Sequence, residues 1–257
     1  DLIYRQILSI YSEYAGSASG LKLGDDSCKV IAFTSPCGGV GSSTMAAACA
    51  LHYAARGKRT LYLNFERFGS SDAFFAAEGQ FDMSGIIFAL KSKKTNLSMK
   101  MESCVKQDPR GVYFYSQSKV ALDMLELGAD EIGRLISEAR LSGNYEYVIA
   151  DLEFGMDRAS LQILRQAGAI VWTGDGSEIS NRKLARAYQA LAILEQNAEV
   201  PLTARIALIY NKFSNKSGTA VTGTELRSIG GAPRYEHAST AQVLEQLAPK
   251  ELFDKIQ

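Results

Sequence analysis

The chain has 257 residues, 46% of them apolar and 22% charged, which suits one large α/β domain or two small ones with a sizeable core. Lys+Arg and Asp+Glu balance at 28 each, so no global field draws it to nucleic acid or to an anionic membrane, although a local basic face stays open. No apolar run approaches ~20 residues and no secretory signal is visible, so a membrane-spanning helix is excluded.

Leu2-Ile3, Ile7, Ile10-Tyr11 and Tyr14 recur at helical spacing and predict a short amphipathic helix. Gly16–Gly20 and Gly24–Ser27 then read as a flexible joint. Residues 1–28 are expected to pack on the domain or to end a connection from an upstream one; the first residue, Asp1 instead of Met, suits a fragment. From Lys29 the pattern is strand then helix, repeated. Strands are predicted at 29–34, 59–65, 111–115, 147–151, 169–173 and 205–210, and helices at 43–56, 123–140 (broken near Gly128), 180–197 and 240–247. Short helices through Ala77 and Leu90 are expected after caps at 70–72 and 82–84, and the cluster Lys91-Ser92-Lys93-Lys94 reads as a solvated turn. This alternation predicts a single three-layer α/β/α domain over 29–257 with a mainly parallel twisted sheet.

The chemistry gathers at Ser35-Pro36-Cys37-Gly38-Gly39-Val40-Gly41-Ser42-Ser43-Thr44, between the first strand and a helix of small residues. Strand, glycine loop and helix start form the frame of a phosphate-binding loop: glycines let backbone N–H groups curl inward, and the helix adds its unsatisfied amides. The usual G-x-x-x-x-G-K-[ST] pattern has Lys where this chain has Ser42. Ser43 or Thr44 offers a hydroxyl where a Mg²⁺ ligand is expected. Three strand-end residues agree with a nucleotide at that sheet edge. Glu66 is placed to orient a water toward a terminal phosphate, Asp151 to hold Mg²⁺ through water, and Asn211 to read a base edge. The loop 152–158 has the make-up of a switch segment. Cys28, Cys37, Cys49 and Cys104 show no C-x-x-C spacing and read as reduced thiols of a cytoplasmic protein.

The glycine loop resembles the deviant Walker A loop of the MinD/ParA ATPases, K-G-G-x-G-K-[ST]. The resemblance continues through Leu61–Glu66, Tyr145–Asp151, Ile209–Lys212 and Gly231–Glu236, and so covers Lys29 to the C-terminus. Asn64-Phe65-Glu66 and Arg234–Ala238 look most like the TadZ/CpaE branch, which helps place pilus assembly machinery at a cell pole and often carries an N-terminal receiver-like domain. The resemblance implies that Gly38, Gly39, Val40, Gly41, Ser42, Ser43 and Thr44 bind ATP phosphates and that Ser43 and Asp151 serve Mg²⁺. It implies further that Glu66 positions the attacking water, that Asn211 and Pro233 flank the adenine, and that two subunits clamp the nucleotide. Both family lysines are absent: Cys37 stands for the signature lysine, which in the family reaches across the dimer, and Ser42 for the Walker lysine. Loss of two cations predicts slow or absent hydrolysis. Arg158, Arg182 and Lys183 are the candidate substitutes. The expectation is an ATP–Mg²⁺ switch, homodimeric and cytoplasmic with recruitment to a cell pole, for Tad/Flp-type pilus assembly or localisation. The alternatives are a working ATPase using substitute cations or a ParA-like DNA partitioning protein. An iron-sulfur reductase fits the cysteine positions poorly, and the lack of a C-terminal tyrosine cluster weakens a tyrosine-kinase reading.

Overall fold

The structure, a computed structural model, describes residues 2–14, 28–69, 71–92, 96–196 and 201–256. The expected joint at 16–27 lies outside them, as do Ser70, Lys93 and Lys94. Eight strands form one sheet in the order β3-β4-β2-β5-β1-β6-β7-β8. They are β1 (Lys29–Thr34), β2 (Thr60–Asn64), β3 (Lys106–Gln107), β4 (Tyr113–Phe114), β5 (Tyr147–Asp151), β6 (Ala169–Gly174), β7 (Ile206–Phe213) and β8 (Arg227–Pro233). All neighbours run parallel except β3 with β4. The helices are α1 (Leu2–Tyr14), α2 (Ser42–Ala55), α3 (Ser71–Phe74), α4 (Met83–Ser92), α5 (Leu97–Cys104), α6 (Ala121–Leu125), α7 (Ala129–Leu141), α8 (Arg158–Leu164), α9 (Glu178–Leu194) and α10 (Thr240–Leu247).

Two hydrophobic cores, one on each face of the sheet, make the three layers. The central strands are buried on both sides, which is why they read as continuous apolar runs. On one face α2 is buried from Met45 to Tyr53, and its alanines let it lie close to the sheet beneath α10. The C-terminal segment closes this layer: Phe253 is fully buried and its carbonyl accepts a hydrogen bond from the Tyr53 hydroxyl at 3.0 Å. Phe253→Ala is therefore expected to cost about 3–5 kcal/mol, read as a lowered urea midpoint at unchanged m-value.

Four elements were not foreseen. β8 carries two glycines and a proline, poor strand formers, and extends only because it pairs along the edge of β7, with irregular register. β3 is two residues long, and α5 is started by the Asn96 side chain accepting from the Met99 amide. α8 begins where the switch segment was expected to end, capped by the Asp157 carboxylate on the amides of Ala159 and Ser160. α1 does pack on the domain, but with its polar side. Lys100 Nζ donates to Ser9 Oγ at 2.8 Å, the Asn96 amide donates to the Ser12 carbonyl at 3.1 Å, and Arg5 donates to the Val105 carbonyl. Ile3, Ile7, Ile10 and Tyr11, the apolar face read from the sequence, are exposed.

Candidate functional site

The parallel register places the site. β2 pairs with β5 so that Asn64 stands beside Asp151, and β1 pairs with β5 so that Phe33, just ahead of the glycine loop, also stands beside it. All three strands end at one edge, where α2 begins. The loop itself turns on glycine: Gly39 and Gly41 have φ of 75° and 87°, a region that residues with a Cβ rarely enter. Gly41 also leaves room for a neighbour, since a Cβ there would lie 2.5 Å from Asn211 Nδ2. That amide donates to the Val40 carbonyl at 2.9 Å, so the end of β7 pins the loop.

Two hollows result. One, of about 420 Å³, is lined by Ser35, Cys37 to Thr44, Glu66 and Leu152 to Phe154. The other, of about 300 Å³, is lined by Thr44, Asn211, Lys212, Pro233, Arg234, Tyr235, Ala238, Thr240 and Val243. They share Thr44. The residues expected at phosphate (Gly38, Gly39, Val40, Gly41, Ser42, Ser43, Thr44) line the first, and those expected at the base (Asn211, Pro233) line the second.

Within the first hollow the Ser43 hydroxyl donates to Glu66 Oε1 at 3.1 Å. Behind it lies Asp151, fully buried, whose Oδ2 accepts from the Tyr62 hydroxyl at 2.8 Å and Asn64 Nδ2 at 3.0 Å. Its Oδ1 is buried without a partner. Burial first, and then the nearby Glu66 charge, push the Asp151 carboxyl up to about 7, against hydrogen bonds from Tyr62 and Ser43 that pull it down. A buried acceptor with no donor next to a hydroxyl and a second carboxylate fits a small divalent cation, and Mg²⁺ commonly takes only one or two carboxylates from its protein. Glu66 thus faces Ser43 directly. Asn64 orients it as well, its Oδ1 accepting from the Glu66 amide at 3.0 Å.

The two positions at which the resemblance leads one to expect lysine are filled differently. Cys37 does not face outward: its thiol donates to the Ser180 carbonyl and accepts from the Ser180 hydroxyl, both at 3.4 Å, tying the loop to α9. The Ser42 hydroxyl is buried without a partner. None of the three substitute cations lines either hollow: Arg182 pairs with Glu178 on the exposed side of α9 at 2.6 Å, while Arg158 opens α8 and Lys183 is exposed on α9. The cation at the loop is Lys212, whose Nζ donates to the Gly39 carbonyl at 2.8 Å from a left-handed backbone with φ of 56°. No local pattern marks it for this place, though it directly follows Asn211. The strand-exit loops after β2 and β5 are joined too, by the Arg67 amide donating to Glu153 Oε1 at 3.0 Å and by an ion pair of the same two side chains at 3.5 Å. Phe154 packs edge-on against Trp172 at 5.6 Å between ring centres.

No protein-family model matches the chain, and no curated protein matches it in sequence. Solved structures do match. A ParA family ATPase from Chlorobium tepidum is 19% identical with a TM-score of 0.67, over 90% of this chain and 96% of that one. MinD from Pyrococcus horikoshii, complexed with Mg-ADP, is 13% identical with a TM-score of 0.64, over 89% and 96%. A plasmid partition protein from Borrelia burgdorferi is 18% identical with a TM-score of 0.63, over 89% and 98%. At these identities the likeness is one of architecture: the chain has the α/β fold of the ParA and MinD ATPases.

Proposed function

We propose that the chain is an ATP–Mg²⁺-binding molecular switch of the MinD/ParA type, with slow or no hydrolysis. The observation that carries the nucleotide reading is the junction at Thr44. A hollow ringed by glycine-loop backbone and a hollow beside Asn211 and Pro233 meet there, as phosphates and base of one ligand require. The Mg-ADP of the P. horikoshii MinD, on the same fold, supports it. Asp151 Oδ1 and the Ser43 hydroxyl are the groups that would hold Mg²⁺, which when bound offsets carboxylate and phosphate charge together. Slow turnover is expected because, among the described residues, no Lys or Arg lines the phosphate hollow. Phosphoryl transfer depends on charge stabilisation at the transferred group, so its loss costs orders of magnitude in rate.

The wider reading rests on the sequence resemblance. Two copies clamp the nucleotide, and the dimer presents a surface to Tad/Flp-type pilus assembly or polar localisation proteins. Residues 29–257 are then the nucleotide-binding unit, with α1 at the end of a connection to another domain. Among the described residues no helix is long and apolar enough to cross a membrane.

Calorimetry with ATP and Mg²⁺ tests the central claim: binding is expected with phosphate release at background, and no binding at millimolar nucleotide would end the reading. Ser42→Lys should tighten ATP about 10-fold or more, the scale of one charge-assisted hydrogen bond. One observation favours a second reading, a working ATPase: Lys212 Nζ already reaches the glycine loop at Gly39. That reading requires magnesium-dependent turnover that Lys212→Met and Glu66→Gln both diminish.

A further inference from the structure

The sheet edge opposite the glycine loop, where β1, β6 and β7 begin, holds another cavity, of about 390 Å³. Its floor is apolar, from the first residues of β1 and β6 with Ile256, and its rim carries Lys29, Arg140, Arg165 and Arg205. Among the described residues no Asp or Glu lines it. The arginines arrive from separate elements: the last turn of α7, the C-cap of α8, and the turn leading into β7. Helix-end carbonyls favour cations at such places but leave guanidinium N–H groups to find acceptors.

Among the described residues one of these donors has no acceptor. Arg140 Nε is buried with no hydrogen-bond partner. Among the described residues Lys29, Arg140, Arg165 and Arg205 form no ion pair, whereas Arg56, Arg59, Arg67, Arg110 and Arg182 each do. Arg205 is held as a fixed wall, its Nη1 donating to the carbonyls of Arg165 at 3.2 Å and Ala167 at 3.0 Å. Four cations around one hollow repel each other, and a buried N–H without an acceptor is unfavourable until an anion supplies one.

We propose that this cavity is a second ligand site, remote from the glycine loop, that takes a small phosphate-bearing molecule. Guanidinium forks converging from three directions suit the several oxygens of a phosphoryl group, and the apolar floor suits the body it is attached to. A nucleic-acid backbone is the weaker fit, because the charge lines a hollow instead of an extended stripe. The inference stands whether or not ATP binds at the glycine loop.

Pyrophosphate is the probe, titrated into the full chain by calorimetry at low salt. Arg140→Gln combined with Arg165→Gln is expected to weaken its binding at least 10-fold. Neither side chain forms an ion pair, so the variant should keep the wild-type circular dichroism and melting temperature. Gly41→Ala, which disturbs the glycine loop, should leave this binding in place. Unchanged pyrophosphate affinity in the double arginine variant, or loss only in Gly41→Ala, overturns the proposal. So does retention of duplex DNA that the arginine variant abolishes when pyrophosphate does not bind. Crystals of wild-type protein soaked in tungstate give a reading independent of any variant: anomalous density against Arg140 and Arg165 supports the site, and its absence there refutes it.

Discussion

Asp151→Asn is expected to raise the melting temperature of the nucleotide-free protein at pH 8 by about 5–10 °C, while abolishing its response to Mg²⁺ and ATP. The reason is that Asp151 is buried behind Ser43 with Glu66 nearby, which lifts its carboxyl from 3.8 to about 7. Between those values the folded protein keeps a proton that the unfolded chain has lost. Stability therefore falls as pH rises from about 4 to 7 and levels off above. Each unit of the gap corresponds to about 1.4 kcal/mol, so the carboxylate costs up to about 4 kcal/mol at pH 8. Asparagine is neutral at every pH and can still accept from Tyr62 and Asn64, so it removes that cost along with the oxygen that would serve Mg²⁺. Thermal melts of both proteins from pH 4 to 8 decide the matter. A wild-type profile flat across that range, or a variant that melts lower at pH 8, would show that another group carries the charge.

Gly41→Ala should destabilise the protein by about 2–4 kcal/mol and weaken ATP at least 100-fold, whereas Gly38→Ala stays close to wild type in stability. Gly41 has φ of 87° and a Cβ there would meet Asn211 Nδ2 at 2.5 Å; a Cβ on Gly38 would meet nothing within 4 Å. The alanine therefore strains the backbone and also pushes away the amide that holds the Val40 carbonyl. Removing that amide with Asn211→Ala should recover part of the stability lost in Gly41→Ala but none of the ATP affinity, a coupling expected of two groups in contact. Urea denaturation and calorimetry on wild type, the three single variants and the Gly41→Ala/Asn211→Ala double variant give both readings, and equal behaviour of Gly41→Ala and Gly38→Ala would refute the account.

The glycine loop, the buried parallel strands and the position of Glu66, Asp151 and Asn211 at one edge of the sheet were legible because each leaves a local mark. A continuous apolar run of four or five residues reports burial on both faces, and three glycines between a strand and an alanine helix report a backbone that must curl. β8 left no such mark, since its Arg-Ser-Ile-Gly-Gly-Ala-Pro becomes a strand through pairing with β7 alone. The amphipathic period of α1 was legible but the side on which it packs was not, because the polar groups of α5 that it meets lie some ninety residues away in sequence.

Chemistry follows the same division. From its residues alone the chain shows a glycine loop between a strand and a helix, with Cys37 and Ser42 where the resemblance expects lysines, since that depends only on which side chains occupy consecutive positions. Which cation stands near the loop in their place depends on where separate strands end. Arg158, Arg182 and Lys183 were plausible by proximity in sequence to the site's segments, yet the tertiary structure turns them away and brings Lys212 to Gly39. The arginine cavity at the far edge is wholly a product of packing: its charges come from residues 29, 140, 165 and 205, which no local pattern connects. Short-range steric and burial preferences are written in neighbouring residues, whereas electrostatic surroundings are set by whatever the fold brings within a few ångströms.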